Sequence, residues 1–290
     1  MAGRDTVPLK PSRPAEPIQK ASMKPRILIL HATGTNRDRE AALAFELAGG
    51  APEIVHVNQL TSGERLLVDY QVLVLPGGFS YGDDLGAGKL WAVMLQHQLG
   101  EQILAFVESG RPIIGICNGF QALVKAGLLP GLDVEAGSEM QQATLTRNDS
   151  ARFECRWVYL EPQPASTCIW TTNLTEPIYC PVAHGEGKFV ARDSETLTKI
   201  ESDGLVALRY SQGPEAAESS ATDEVQYPWN PNGSQNAIAG ICNRRGTILG
   251  LMPHPEDHIL PQQHPRAHRG EHGMLGLPLF VNGVRYAAQL

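Results

Sequence analysis

The sequence predicts an α/β fold, a mostly parallel sheet with an added antiparallel strand region. Three observations carry that prediction. Arg26-Ile-Leu-Ile-Leu-His31, Gln71-Val-Leu-Val-Leu75 and Ile113-Ile-Gly-Ile116 are short apolar runs, the pattern of strands buried on both faces. Segments of helical length separate them, which at this spacing means βαβ units with right-handed crossovers. Beyond Gly131 the pattern changes to alternation, as in Ala151-Arg-Phe-Glu-Cys-Arg-Trp-Val-Tyr-Leu160, which suits half-exposed strands.

In chain order, residues 1–24 carry four prolines and no apolar period, and are read as a disordered extension. The ordered domain is expected over 25–258, with 259–290 as a C-terminal extension packing on it or on a partner. The first strand leads through the turn Thr33-Gly-Thr-Asn36 to a helix from Arg37 to Ala48. Asn36 is its expected cap, and Gly49-Gly50 its stop. Glu53 to Val57 reads as the second strand and Gln71 to Leu75 as the third. A Gly-rich loop, Pro76 to Gly88, precedes one helix from Leu90 to Ser109. Ile113 to Ile116 is the fourth strand. Further short strands are expected near Ile178, Phe189 and Val206, and 211–235 reads as a long polar loop. Ala237 to Cys242 and Thr247 to Met252 form a hairpin turning at Asn243-Arg-Arg-Gly246.

With 290 residues, 42% of them hydrophobic and 19% charged, the chain has the composition of a globular protein with a substantial core. A net charge of −7 leaves no basic footprint for nucleic acid. No apolar run approaches the roughly 20 residues of a membrane span. Five cysteines without CxxC spacing argue against a disulfide framework or cysteine zinc site, and for a reducing cytoplasm. Four of them are expected to be small core hydrophobes.

The fifth, Cys117, stands apart. Arg111 to Lys125 reads as a buried strand, a tight corner and a helix start, the geometry that lifts a nucleophile clear of a sheet. The helix N-terminus favours a thiolate, and its free N–H groups can receive an oxyanion. Met252-Pro-His-Pro-Glu256 offers a base, His254, and a carboxylate, Glu256, to orient it. In an extended segment both side chains fall on one side. An isolated cysteine after an apolar strand is more often a buried structural thiol; the elbow and the His-Pro-Glu segment reverse that reading. Two other motifs are set aside. Gly82 to Lys89 lacks P-loop spacing, and Leu90 stands where Ser or Thr should hold magnesium. The histidines at 254, 258, 264, 268 and 272 are interrupted by prolines, and read as a solvated, irregular tail without metal. The Pro181 to Phe189 segment, with His184, reads equally as a binding loop or a structural turn.

Gly115-Ile-Cys-Asn-Gly-Phe-Gln121 with Pro253-His-Pro-Glu256 resembles the class I (triad) glutamine amidotransferases. Gly34-Thr-Asn36, Gly77 to Asp83, Ala183 to Gly187 and Asn230 to Ser234 narrow the resemblance to the glutaminase subunits of phosphoribosylformylglycinamidine synthases, over roughly 26–258. The resemblance implies a flavodoxin-like, doubly wound sheet and a Cys117–His254–Glu256 triad acting on glutamine. It also implies backbone N–H groups of Gly78 and Asn118 as an oxyanion hole, and glutamine contacts from Gln121, Gly77, Phe120 and His184. No cofactor is implied in this chain; ATP and magnesium belong to a partner synthetase subunit, with a small accessory subunit beside it. Arg37 stands where this family commonly has a cysteine. Two rivals fit less well. A stand-alone cysteine hydrolase does not need the His-Pro-Glu segment, and a non-catalytic regulatory module usually loses a triad member.

Overall fold

The computed structural model describes residues 24–132, 141–214 and 225–290. The predicted extension lies outside these residues but for Lys24, as does 215–224 of the predicted polar loop. Strand β1 (Arg26–His31) runs parallel to β2 (Ala51–His56) on one side and β3 (Val72–Leu75) on the other. Strand β4 (Ile113–Ile116) follows β3 in parallel. β5 (Ala143–Thr146) and β8 (Lys188–Ala191) form a separate two-stranded antiparallel ribbon. The remaining strands are β6 (Glu154–Pro162), β7 (Ile178–His184), β9 (Val206–Ser211), β10 (Ile238–Cys242) and β11 (Ile248–Leu251). The main sheet has the order β2-β1-β3-β4-β11-β10-β9-β6-β7. Its parallel half, 2-1-3-4 followed by β11, has the strand order of flavodoxin-like sheets, whose ligands sit at the carboxyl ends of the strands. From β11 onward every pair is antiparallel.

Several elements differ from the sequence expectation. α1 (Asp38–Leu47) has Arg37 at its N-cap with no side-chain cap. Asn36 falls one residue before the cap, and its backbone N–H, like that of Arg37, donates to the Gly77 carbonyl. The single helix expected over 90–109 is two, α3 (Lys89–His97) and α4 (Gly100–Glu108). Leu99 leaves the helical path to bury its side chain, and its N–H reaches back to Met94. Val57 begins a short helix, α2 (Val57–Thr61), capped by His56, instead of ending β2. β5, α6 (Ser194–Ser202) and α7 (Leu277–Ala287) had no counterpart in the sequence reading.

α7 closes the core. Phe280 is fully buried edge-on against Phe45 of α1, and Asn282 donates to the Trp170 and Thr172 carbonyls. Residues after 258 therefore share the hydrophobic core of the sheet. His268 and His272 are exposed, as expected of a solvated tail, but other histidines of that set are not. His258 and His264 are buried and pack with Trp157 and Tyr179. Cys155 is likewise exposed, unlike the core thiol expected.

What matters most for the site is how closely α5 (Asn118–Lys125) lies on the sheet. Gly115 of β4 and Gly250 of β11 are register partners, and both face this helix. A Cβ at Gly115 would meet Leu123 at 2.5 Å, and one at Gly250 would meet the Phe120 ring at 2.0 Å. A Cβ at Gly119 would stand 1.9 Å from the Leu75 carbonyl oxygen. Three glycines thus let the helix seat against three adjacent strands, and that fixes where its first residue projects.

Candidate active site

Cys117 occupies the corner between β4 and α5 with φ 51 and ψ −104, a region that costs a non-glycine residue on the order of 1–3 kcal/mol. The corner is held from both sides. The Cys117 N–H donates to Leu251 O at 2.8 Å, and Gln121 N–H donates to Cys117 O at 3.1 Å. The thiol is 5% exposed, with its sulfur 3.7 Å from Ala183 O of β7.

His254 and Glu256 follow β11. The His254 N–H donates to Pro181 O at 2.8 Å, tying this segment to β7. Residues Pro255–Asp257 form a 3-10 turn, so the extended geometry expected from the sequence is absent. The turn still brings His254 Nδ1 to 2.7 Å from Glu256 Oε1. Glu256 is 0% exposed, and its Oε2 has no partner among the described residues. Burial is the largest influence on His254 and opposes its charge. The Glu256 carboxylate and Cys117 outweigh it together, so the imidazole is held well above its usual range. Its Nε2 is buried with no hydrogen bond among the described residues. Behind the turn, Arg37 Nε lies 3.3 Å from Asp257 Oδ2. Burial, then the Glu256 charge, pushes the Asp257 carboxyl up to about 6.

A cavity of about 170 Å³ opens over the sulfur, lined among others by Gly78, Asp83, Gln121, His184 and Glu186. Larger hollows elsewhere, such as the apolar one of about 310 Å³ beside Leu66, Val68 and Phe106, are lined by no cysteine and no histidine. Gly78 is held at φ 145 by its bridge to Thr35; a Cβ there would lie 2.7 Å from Gly34 O. The N–H groups of Gly78 and Asn118 have no acceptor among the described residues. The Asn118 side chain ties three parts together: its Oδ1 accepts from Ser80 N–H, and its Nδ2 donates to Asp83 and to Gln121 Oε1.

Two expected glutamine contacts lie elsewhere. Phe120 is 0% exposed and packs under Gly250, because on a helix it points to the sheet while Asn118 and Gln121, three apart, share the cavity side. Gly77 does not line the cavity. It presses on the His254 ring, where a Cβ would be 2.6 Å from Cε1, and its carbonyl accepts from Asn36 and Arg37.

His184 does line the cavity, and its tautomer is fixed by Asn148. The Asn148 Nδ2 donates to two carbonyls, His184 O and Arg152 O, so its Oδ1 is the acceptor for the Gly187 N–H. The same Oδ1 lies 3.2 Å from His184 Nδ1, which must carry the proton. Nε2 is then a bare acceptor, buried and unpartnered among the described residues. Asn148 was missed because Arg147-Asn-Asp-Ser150 reads as any polar turn. Asn232 and Ser234, read within a long polar loop, are buried and brace the same wall. Asn232 Nδ2 donates to Gly187 O, and Ser234 Oγ accepts from Phe189 N–H.

Burial, and then the nearby His254, push His184 down to about 3. The folded protein therefore keeps this ring neutral in acid while the unfolded chain protonates it below 6.5. The stability involved is present above 6.5 and is lost as pH falls toward 3. At about 1.4 kcal/mol per unit, moving from pH 7 to pH 5 removes roughly 2 kcal/mol through this residue. Urea unfolding at both pH values should show His184→Gln losing about 2 kcal/mol less than wild type over that interval. An equal loss in both proteins would refute the assignment.

Among the described residues no cluster of three or more His, Cys, Asp or Glu side chains could hold a metal ion, and no helix is long and apolar enough to cross a membrane.

The family model described as a CobB/CobQ-like glutamine amidotransferase domain matches residues 24–287. The phosphoribosylformylglycinamidine synthase subunit PurQ of Treponema denticola is 49% identical over 271 residues, covering 91% of this chain and 99% of that protein. The subunit of the same name from Dehalococcoides mccartyi is 45% identical, covering 92% and 99%. Among solved structures, that of PurLQS from Thermotoga maritima includes a chain with a TM-score of 0.66 and 32% identity, covering 91% of this chain and 99% of that one. A thiol on a strand-to-helix corner, a buried His–Glu pair and these likenesses agree: the chain belongs to the CobB/CobQ-like glutamine amidotransferases and, within them, to the PurQ subunits of phosphoribosylformylglycinamidine synthase.

Proposed function

We propose that this chain is the glutaminase subunit of a phosphoribosylformylglycinamidine synthase. The observation that carries the proposal is a cavity-lining thiol, Cys117, interacting with His254, whose Nδ1 lies 2.7 Å from the buried Glu256 carboxylate. Cys117 attacks the side-chain carboxamide carbon of glutamine. His254 takes the thiol proton and returns it to the leaving ammonia, while Glu256 holds the ring and its charge. The Gly78 and Asn118 N–H groups receive the oxyanion, a contribution of about 3 kcal/mol for each well-placed donor. Water then hydrolyses the γ-glutamyl thioester to glutamate. Gln121 and His184 contact the bound glutamine.

Ammonia passes to an ATP-dependent synthetase subunit, which binds ATP and magnesium and aminates formylglycinamide ribonucleotide. A small accessory subunit completes the assembly, and the setting is the cytoplasm. The PurQ relatives and the PurLQS likeness support this reading. The test is glutamate release by the full chain, alone and with its synthetase subunit. Release should rise on adding the synthetase together with its nucleotide substrates. No glutamate under any of these conditions would defeat the proposal.

A further inference from the structure

Arg37 grips the site from two directions. Its backbone N–H donates to the Gly77 carbonyl at 3.3 Å, on the loop that carries Gly78. Its side chain reaches the other way: Nε lies 3.3 Å from Asp257 Oδ2, one residue beyond the carboxylate that holds His254. Between the two grips its stem passes over Gly77. A Cβ at Gly77 would stand 3.5 Å from Arg37 Cγ and 2.6 Å from His254 Cε1, so the arginine stem and the imidazole close on one point.

The turn that presents Glu256 is anchored to β7 at both ends. The His254 N–H donates to Pro181 O, and His258 Nδ1 donates to Tyr179 O. Gly276, before α7, seats against Pro255. The Arg37–Asp257 pair holds the same turn from the side of α1, with Glu40 Oε1 3.7 Å from Arg37 Nη1. The Asp257 side chain is 19% exposed and that of Arg37 35%, so the pair is partly withdrawn from solvent screening. Glu256 itself bonds to the ring it orients, and its Oε2 has no partner among the described residues. The aim of the carboxylate therefore depends on where the turn sets its backbone.

We infer that Arg37 is a positioning residue for the amide hydrolysis: paired with ionised Asp257, it sets the Pro255–Asp257 turn and so the aim of Glu256 on His254. The inference rests on the glutaminase reading and adds to it a residue that bonds to no member of the triad. The device works only while Asp257 is charged. Burial and the Glu256 charge push that carboxyl up to about 6, against the pull of His254 and Arg37. The titratable groups facing it are Glu256 and His254 on its own turn, Arg37 and Glu40 at α1, and Cys180 of β7. The pair is thus complete well above pH 6 and is lost as pH falls through that value.

The test follows glutamate release at pH 8 and pH 5 by the full chain with its synthetase subunit. Arg37→Gln and Asp257→Asn each remove one charge and leave the backbone contact to Gly77 in place. Each should lower kcat at least about tenfold at pH 8 with KM for glutamine little changed, because a displaced orienting group costs rate more than binding. At pH 5, where wild type has itself lost the pair, each should come within about twofold of wild type. The double variant should be no slower than the slower single one, since both break the same contact. Arg37→Lys, which keeps the charge, should recover most of the loss. A role in packing alone lowers kcat by one factor at both pH values and is not rescued by lysine; that pattern, or wild-type kcat in Arg37→Gln at pH 8, overturns the inference. Should Asp257→Asn unfold in urea at a much lower concentration than wild type, the two Arg37 variants give the same reading alone. Wild type that releases no glutamate at either pH brings down the glutaminase reading and the inference together.

Discussion

Cys117→Ala should fold as wild type does and release glutamate at least about 10⁴-fold more slowly, with or without the synthetase subunit. Removing a nucleophile that acts as a unit with its base leaves only the residual catalysis of binding and oxyanion stabilisation. Alanine keeps the Cβ and so the corner at φ 51, and it deletes a sulfur that makes a weak contact to Ala183 O. A change in stability beyond about 1 kcal/mol is not expected. An electrophilic glutamine analogue should label Cys117 in wild type and spare the other thiols. Cys168, Cys180 and Cys242 are buried, and burial holds the first two well above the usual thiol range. Cys155 is exposed but outside the cavity, which makes it the internal control. Glutamate release by Cys117→Ala at more than about a hundredth of the wild-type rate, or labelling of Cys155 as fast as Cys117, would remove the nucleophile assignment.

The strands that build this site were legible because their signal is local. β1 and β4 are unbroken apolar runs, and their observed bounds coincide with those read from the residues. The hairpin of β10 and β11 was readable from its turn glycine and the apolar runs on either side. Illegible features depend on partners far away in sequence. Asn36 looks like a helix cap, yet the Gly77 carbonyl, on another loop, holds the N–H groups of both Asn36 and Arg37, and the helix starts one residue later. Phe120 looks like a pocket residue until Gly250, on a strand 130 positions later, makes room for its ring. His258 and His264 looked solvated because prolines break the segment, yet breaking a helix does not prevent burial against Trp157 and Tyr179. The His254–Glu256 contact was anticipated for the wrong geometric reason, since a 3-10 turn makes it in place of an extended strand. Asn148 carries no motif of its own, and the Asn230 to Ser234 motif does not say what Asn232 and Ser234 brace. Their importance lies in which carbonyls and amides they meet, and only the folded chain fixes that.

Glu256→Gln should lower kcat/KM for glutamine by about 10²–10⁴-fold while leaving the fold in place. The substitution preserves the shape of the orienting group, and its amide oxygen can still accept from His254 Nδ1. Only the charge is lost. In wild type the Glu256 carboxylate is the largest influence favouring a protonated His254, against a burial effect of opposite sign. Without it, burial pulls the imidazole down, and an imidazolium formed beside Cys117 as the thiol gives up its proton has no counter-charge behind it. The sign for stability follows from the same balance. A histidine raised in the folded state contributes stability that is complete below 6.5 and lost as pH rises through its folded value. Glu256→Gln should reverse that slope, because a lowered His254 makes the folded state disfavour acid. It also places an amide NH₂ where Oε2 now has no partner among the described residues, at a cost of about 1–3 kcal/mol. Paired measurements of kcat/KM and of urea unfolding between pH 4.5 and pH 9 separate the two effects, the wild-type slope being read above 6.5 and the reversed slope of Glu256→Gln below it. Wild-type activity in Glu256→Gln, with the stability slope also unchanged, would mean that the carboxylate merely fills space behind the ring.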